Sequence, residues 1–343
     1  MLLNNQIKLR RQILLVILLV VAVFLNGCAE KKPKVYRVGI LFGLEQLYDS
    51  IDGFKKKMTK LGYIEGKDII YDTHKTNVNL TRDKQILDKF VADKVDLIFV
   101  APTETVLLAR EITQGINIPL VFANVILEGN NLVKNVQQPG GHITGVRLPG
   151  PEYTAKRLEI LHEIIPRAKR VWITYGSSNP NNPPTLKTLR LSASSLGLTL
   201  VEVPVTSVAE IRADLEKRDK SVDIGMDAIM IIPDWLSLST EGLAVIDKFS
   251  VEHKIPIVSA PPIVSSAIAP QYPHYVIFSY MCVMTETGGL AAIIADKILQ
   301  GAPAGTIPVV TPEAYLKINY KAIQELGLAV PEGILSQADE IIR

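Results

Sequence analysis

From Tyr36 onward the chain alternates short apolar runs with segments of helical period, and few folds accommodate that alternation. Strands are expected at Tyr36 to Phe42, Ile69 to His74, Leu97 to Val100 and Pro119 to Ala123, with helices between them at Leu47 to Lys60, Leu80 to Asp93 and Thr103 to Gln114. Gly62, which can take the left-handed conformation that ends a helix, stops the first of these. Strands separated by helices of this length make βαβ units, and such units place helices on both faces of a parallel sheet.

The rhythm breaks between Gln137 and Gly150, where Pro139-Gly140-Gly141 and Pro149-Gly150-Pro151 interrupt it, and then resumes. The second series has strands at Val171 to Tyr175, Thr199 to Pro204, Ala228 to Pro233 and Pro256 to Ser259. Its helices are expected at Glu152 to Ile165, Thr185 to Leu196, Val208 to Asp219 and Glu241 to His253. A helix from Thr285 to Gln300, a short Pro-containing strand, Leu316 to Asn319 and two final helical pieces remain, as if the chain crossed back between two halves. The expected class is therefore α/β: two Rossmann-like lobes with parallel sheets and a ligand cleft between them, because open α/β sheets bind ligands beyond the carboxyl ends of their strands. The first lobe is expected at 36–148 and about 281–310, the second at 149–280 and about 311–343, with hinge closure between them.

Ahead of the lobes, Lys8, Arg10 and Arg11 precede an apolar run from Ile13 to Leu25 and then Asn26-Gly27-Cys28. That order of positive, apolar and small-residue regions predicts a signal peptide over 1–28, followed by a linker at 29–35. A membrane-spanning helix needs about 20 apolar residues, and this run stops short of that before Lys31-Lys32-Pro33-Lys34. Leu25-Asn26-Gly27-Cys28 resembles the bacterial lipobox, which implies diacylglycerol and palmitate-type acyl chains on Cys28 and a membrane anchor facing the periplasm or exterior. Cys282 is then the one thiol left in an oxidising compartment, so stability is expected from burial rather than from disulfides.

Composition excludes several classes of function. With 37 basic and 35 acidic residues the chain offers no polycationic surface for nucleic acid. There is no Gly-x-Gly-x-x-Gly after the first strand, no phosphate-binding loop and no Gly-x-Ser-x-Gly elbow. His74, His142, His162, His253 and His274 are scattered without metal-ligand spacing. No metal, cofactor or catalytic constellation is expected, although Glu45, Glu104 and Asp234 stand at strand ends where acid–base chemistry would need them.

Asp96-Leu97-Ile98, Ile118-Pro119-Leu120-Val121-Phe122, Pro139-Gly140-Gly141-His142-Ile143-Thr144-Gly145-Val146, Leu196-Gly197-Leu198, Lys254-Ile255-Pro256 and Ala338-Asp339-Glu340-Ile341-Ile342 together resemble the ABC transporter substrate-binding protein family that includes TrpX- and YtsQ-like members. The resemblance spans nearly all of the chain after the signal peptide and implies a type I periplasmic binding protein fold. It further implies ligand-facing positions at Thr103, at Ser178-Asn179-Pro180-Asn181 after Tyr175, at Pro233-Asp234 and at Ser279-Tyr280. The chain departs from the family pattern with Glu104 in place of the usual proline and with Ile126-Leu127-Glu128-Gly129 after the fourth strand. After the first strand it offers Glu45, Gln46 and Tyr48 in an unusual arrangement. Asn124 completes the polar candidates; among the aromatics, Phe42 is expected in the core and Trp235 in the cleft, beside Tyr48, Tyr175 and Tyr280.

The function this predicts is a monomeric, lipid-anchored solute-binding component that hands a small amino acid-like or aromatic solute to an ABC permease. The alternative is a subunit that senses the same ligand for a membrane receptor such as a histidine kinase.

Overall fold

The computed structural model describes residues 34–179, 181–260 and 274–343, with Gln46 described by its backbone alone. The segment expected to be a signal peptide, the lipobox-like tetrapeptide with Cys28, and Pro180 lie outside the described residues. Among the described residues no helix is long and apolar enough to cross a membrane.

The first unit runs β1 (Tyr36–Phe42), a 3-10 turn (Glu45–Leu47), α1 (Tyr48–Lys60), β2 (Ile69–Lys75), α2 (Leu80–Ala92), β3 (Leu97–Ala101), α3 (Thr103–Ile112), β4 (Leu120–Val125) and β5 (Ile143–Arg147). Its sheet has the order β2-β1-β3-β4-β5 and every pairing is parallel. β3 is buried along its whole length, as expected for a strand covered on both faces.

The second unit runs α4 (Gly150–Ile164), β6 (Arg170–Gly176), α5 (Asn182–Ser195), β7 (Thr199–Val205), α6 (Val208–Asp219), β8 (Ala228–Ile231), α7 (Thr240–His253), β9 (Ile257–Ser259) and β10 (Val276–Met281). After α8 (Met284–Leu299) come β11 (Tyr315–Asn319), α9 (Tyr320–Glu325), α10 (Glu332–Leu335) and β12 (Glu340–Ile342). The second sheet has the order β12-β11-β10-β9-β8-β6-β7, parallel except between β10 and β11. Both units are thus α/β with parallel sheets, as the periodicity predicts.

The chain passes between the sheets at Leu148–Gly150, after β10, and again before β11. α8 follows a strand of the second sheet yet packs with the first, its Ala291, Ala292, Ile294 and Ala295 buried against Ile51, Phe54 and Met58 of α1. Two glycines allow this approach. A Cβ on Gly288 would lie 1.8 Å from the Ser50 carbonyl oxygen, and one on Gly53 would lie 2.1 Å from that of Thr285.

Four elements depart from the sequence reading. β5 lies inside the stretch read as a break, its Thr144-Gly145 pair lacking the bulk that marks a strand; a Cβ on Gly145 would meet the Phe122 carbonyl at 2.1 Å, so only glycine fits there. β10 and β12 were not predicted as strands. Conversely, the Pro-containing segment after α8 makes a single bridge, Val146 to Val310, because Pro308 has no N–H to extend a ladder.

Candidate functional site

The two sheets present the carboxyl ends of their strands to a cavity with walls from both units, enclosing about 730 Å³ of space that is partly open to solvent. The first unit contributes Leu44, Leu47, Val78, Pro102, Glu104, Asn124 and Ile126; the second contributes Asn179, Asn181, Pro233, Asp234, Trp235, Leu238 and Ala260. Leu148, Met281 and Met284 come from the crossing segments. A mostly apolar wall with a few placed polar groups is the usual composition of a small-molecule site.

Asn124, the residue before the last in β4, has a left-handed backbone (φ 56), a conformation asparagine tolerates better than most residues. Its side chain is 5 % exposed, and the hydrogen bonds around it fix its orientation. The Ser50 hydroxyl has one proton and donates it to the Met284 carbonyl (3.0 Å), so toward Asn124 it can only accept, from Nδ2 at 2.8 Å. Asn124 Oδ1 is left buried with no hydrogen-bond partner. A buried acceptor of this kind costs about 1–3 kcal/mol unless a donor arrives.

Asp234 is 1 % exposed and receives N–H donors on both oxygens. Oδ2 accepts from Gly176 N (3.0 Å), Asn179 Nδ2 (3.0 Å) and Asn182 Nδ2 (3.1 Å). Oδ1 accepts from Leu236 N (3.0 Å) and, at greater length, Ser237 N (3.4 Å). This carboxylate therefore ties the end of β6, the start of α5 and its own loop together. Its role in the cavity is to hold Asn179 and Trp235 in the wall.

Glu104 stands in the first turn of α3, half-buried, with no ion-pair partner among the described residues. Burial pushes its carboxyl above the ordinary value, the Asp234 charge adds to the shift, and its own backbone N–H partly offsets it. Trp235, 39 % exposed, is the one aromatic ring among the described cavity-lining residues.

Of the candidate residues, the cavity brings together Glu104, Asn124, Asn179, Asn181, Pro233, Asp234 and Trp235. The others lie elsewhere, each for a visible reason. In a 3-10 turn residues three apart share a face, so Leu44 and Leu47 face the cavity while Glu45 pairs with Lys75 and Tyr48 is exposed. Gln46 belongs to the same turn, and its side chain lies outside the described part. Thr103 is buried and its Oγ1 accepts from Ile126 N (3.2 Å), so it fastens the loop after β4. Tyr175 points along the sheet to Glu202 (2.8 Å), which also binds Arg190, and the buried phenol is pushed up to about 12. Ser178 is exposed beside the cavity, and Ser279 is buried within β10. Tyr280 packs edge-on against Tyr153 with ring centroids 5.5 Å apart, and its carbonyl accepts from the buried Arg157. Phe42 is in the core, as expected.

The apolar contributors Leu238, Ala260, Met281 and Met284 were missed in the sequence. Met281 and Met284 had a legible signal: they bracket a strand end and the following helix start, the same kind of position that drew attention to Thr103.

Comparison with known proteins places this geometry in context. A family model described as ABC transporter substrate binding protein matches residues 38–342. A curated relative, the "Tyrosine-binding protein" of Clostridioides difficile (strain R20291), is 26% identical over 314 residues, covering 88% of this chain and 85% of the relative. A conserved domain protein from Vibrio cholerae superposes with a TM-score of 0.77 at 25% identity, covering 90% of this chain and 100% of that one. A domain from Streptococcus pneumonia, crystallised in complex with L-Trp, has the same fold with a TM-score of 0.77 at 22% identity and the same coverage.

Proposed function

This chain belongs to the ABC transporter substrate-binding protein family, and from that premise we propose that it captures a small aromatic or amino acid-like solute between its two lobes and presents it to a membrane permease. The observation that carries the reading is the cavity itself: apolar walls from both units, one half-exposed tryptophan, and the lining residue Asn124, whose Oδ1 has no hydrogen-bond partner. A ligand touching both walls stabilises the closed arrangement by the difference in its affinity for the closed and open forms, and that difference is what a permease can read. That a relative is named for tyrosine and a structural neighbour holds L-Trp supports an aromatic solute.

The test is thermal unfolding of the full chain, purified in a non-ionic detergent, with amino acids, aromatic amines, aromatic acids, nucleosides and sugars. A ligand at 100 times its Kd stabilises the native state by about 2.7 kcal/mol, a shift of a few degrees. Trp235→Ala should weaken the ligand that shifts unfolding most by about tenfold or more, since an aromatic contact and its buried area are both lost. An unchanged affinity would remove Trp235 from the site.

Anchoring through acyl chains on Cys28 is part of the same proposal. Metabolic labelling with palmitate should mark the wild type and not Cys28→Ser. Equal labelling of both would refute it.

A further inference from the structure

Resting on the reading that the cavity takes a small solute, we propose that this solute is a monocationic amine with an apolar body, docking its ammonium on Glu104 and Asn124 Oδ1, rather than a zwitterionic amino acid.

Three observations carry this. Among the described lining residues there are two carboxylates, Glu104 and Asp234, and no lysine, arginine or histidine. Asp234 is held by neutral N–H donors, so its negative charge remains in the wall uncancelled by a cation. Glu104 likewise has no basic partner among the described residues, although its burial disfavours the bare charge. A cation in the cavity would relieve both.

Asn124 provides the independent sign. It is 95 % buried, its amide is oriented by Ser50, and the oxygen left over is an acceptor with nothing to accept from. An ammonium has three donors and no acceptor, which matches a carboxylate plus an amide oxygen.

A ligand carboxylate, by contrast, finds its ordinary receptors already taken. Helix N-termini bind anions through free first-turn N–H groups. At α3 the first turn holds Glu104, whose carboxylate leans on its own N–H. The start of α5 has Pro183 and Pro184, which have no N–H to give. The first turn of α8 carries Glu286. Each of these three helix starts is thus prepared against an anion by an acid or by proline.

The experiment is isothermal titration of the full chain in non-ionic detergent with two matched series: tyramine, tyrosine and 3-(4-hydroxyphenyl)propionate; tryptamine, tryptophan and indole-3-propionate. In at least one series the amine should bind at least tenfold more tightly than its amino acid, and the acid should not bind measurably. Glu104→Gln, which keeps shape and removes charge, should weaken the amine at least tenfold while unfolding at no lower temperature than the wild type without ligand. An amino acid that binds as tightly as its amine, or an amine indifferent to Glu104→Gln, would overturn the inference and leave solute capture standing. If neither series bound while another solute in the wider panel did, the inference would again fall alone. If no solute bound at all, both readings would fall together.

Discussion

Gly288→Val should lower the stability of this protein by about 3 kcal/mol or more and weaken ligand binding with it. The added Cβ would sit 1.8 Å from the Ser50 carbonyl oxygen and 2.8 Å from Phe54 N, and these are backbone atoms of α1 that no rotamer change can move aside. The helices must separate, which opens the packing of Phe54, Met58 and Ala291 beneath the sheet. Separation also pulls the Ser50 hydroxyl from its bonds to Met284 and Asn124, so the amide that faces the cavity loses its orientation. The neighbouring Gly289→Ala is the control. The nearest atom to its added Cβ is Lys57 Cβ at 3.9 Å, so it should be neutral or gain about 1 kcal/mol of helix propensity. Chemical or thermal unfolding of the two variants separates a steric contact between helices from a general sensitivity of α8. If both lose stability equally, the contact is not the cause.

The second large effect is expected at Asp234→Ala. Removing the carboxylate strands the N–H groups of Gly176 and Leu236 and the amides of Asn179 and Asn182 in a buried place. Leaving buried donors unpaired costs about 1–3 kcal/mol each where water cannot reach them, so a loss of about 3 kcal/mol overall is expected after relaxation. Asp234→Asn should lose less, because one acceptor oxygen survives while the new amide nitrogen faces donors. Thermal unfolding without ligand is the readout. A variant that unfolds like the wild type but no longer binds would mean that Asp234 contacts the solute directly and does not brace the wall.

Much of the fold was legible because burial forces periodicity. The run that became β3 is apolar throughout and those of β1 and β4 carry one polar residue each, and α1 shows its buried stripe in Ile51, Phe54 and Met58. β5 escaped because its centre is Thr144-Gly145, where close contact with β4 excludes a larger side chain. The pairing of α1 with α8 was illegible for a different reason. It rests on two glycines far apart in sequence, and a glycine in a helix ordinarily signals weakness rather than contact.

At the site, position along the fold was readable and orientation was not. Residues at the carboxyl ends of strands supplied Asn124, Asn179, Asp234 and Trp235. Tyr175 sits at a similar point, but strand parity turns it toward Glu202, and the three-residue period of the first turn exchanges Glu45 and Tyr48 for Leu44 and Leu47. That Asp234 is saturated and Asn124 Oδ1 is not depends on partners from other segments, which no local pattern records.

The central claim, that a small solute is held between the two lobes, is tested most directly by a crystal structure of the protein grown with the ligand that shifts its unfolding most. Ligand density is expected in the cavity, touching Asn124 or Glu104 from the first lobe and Trp235 from the second. Ligand bound to one lobe alone, or at a site away from these residues, would contradict it.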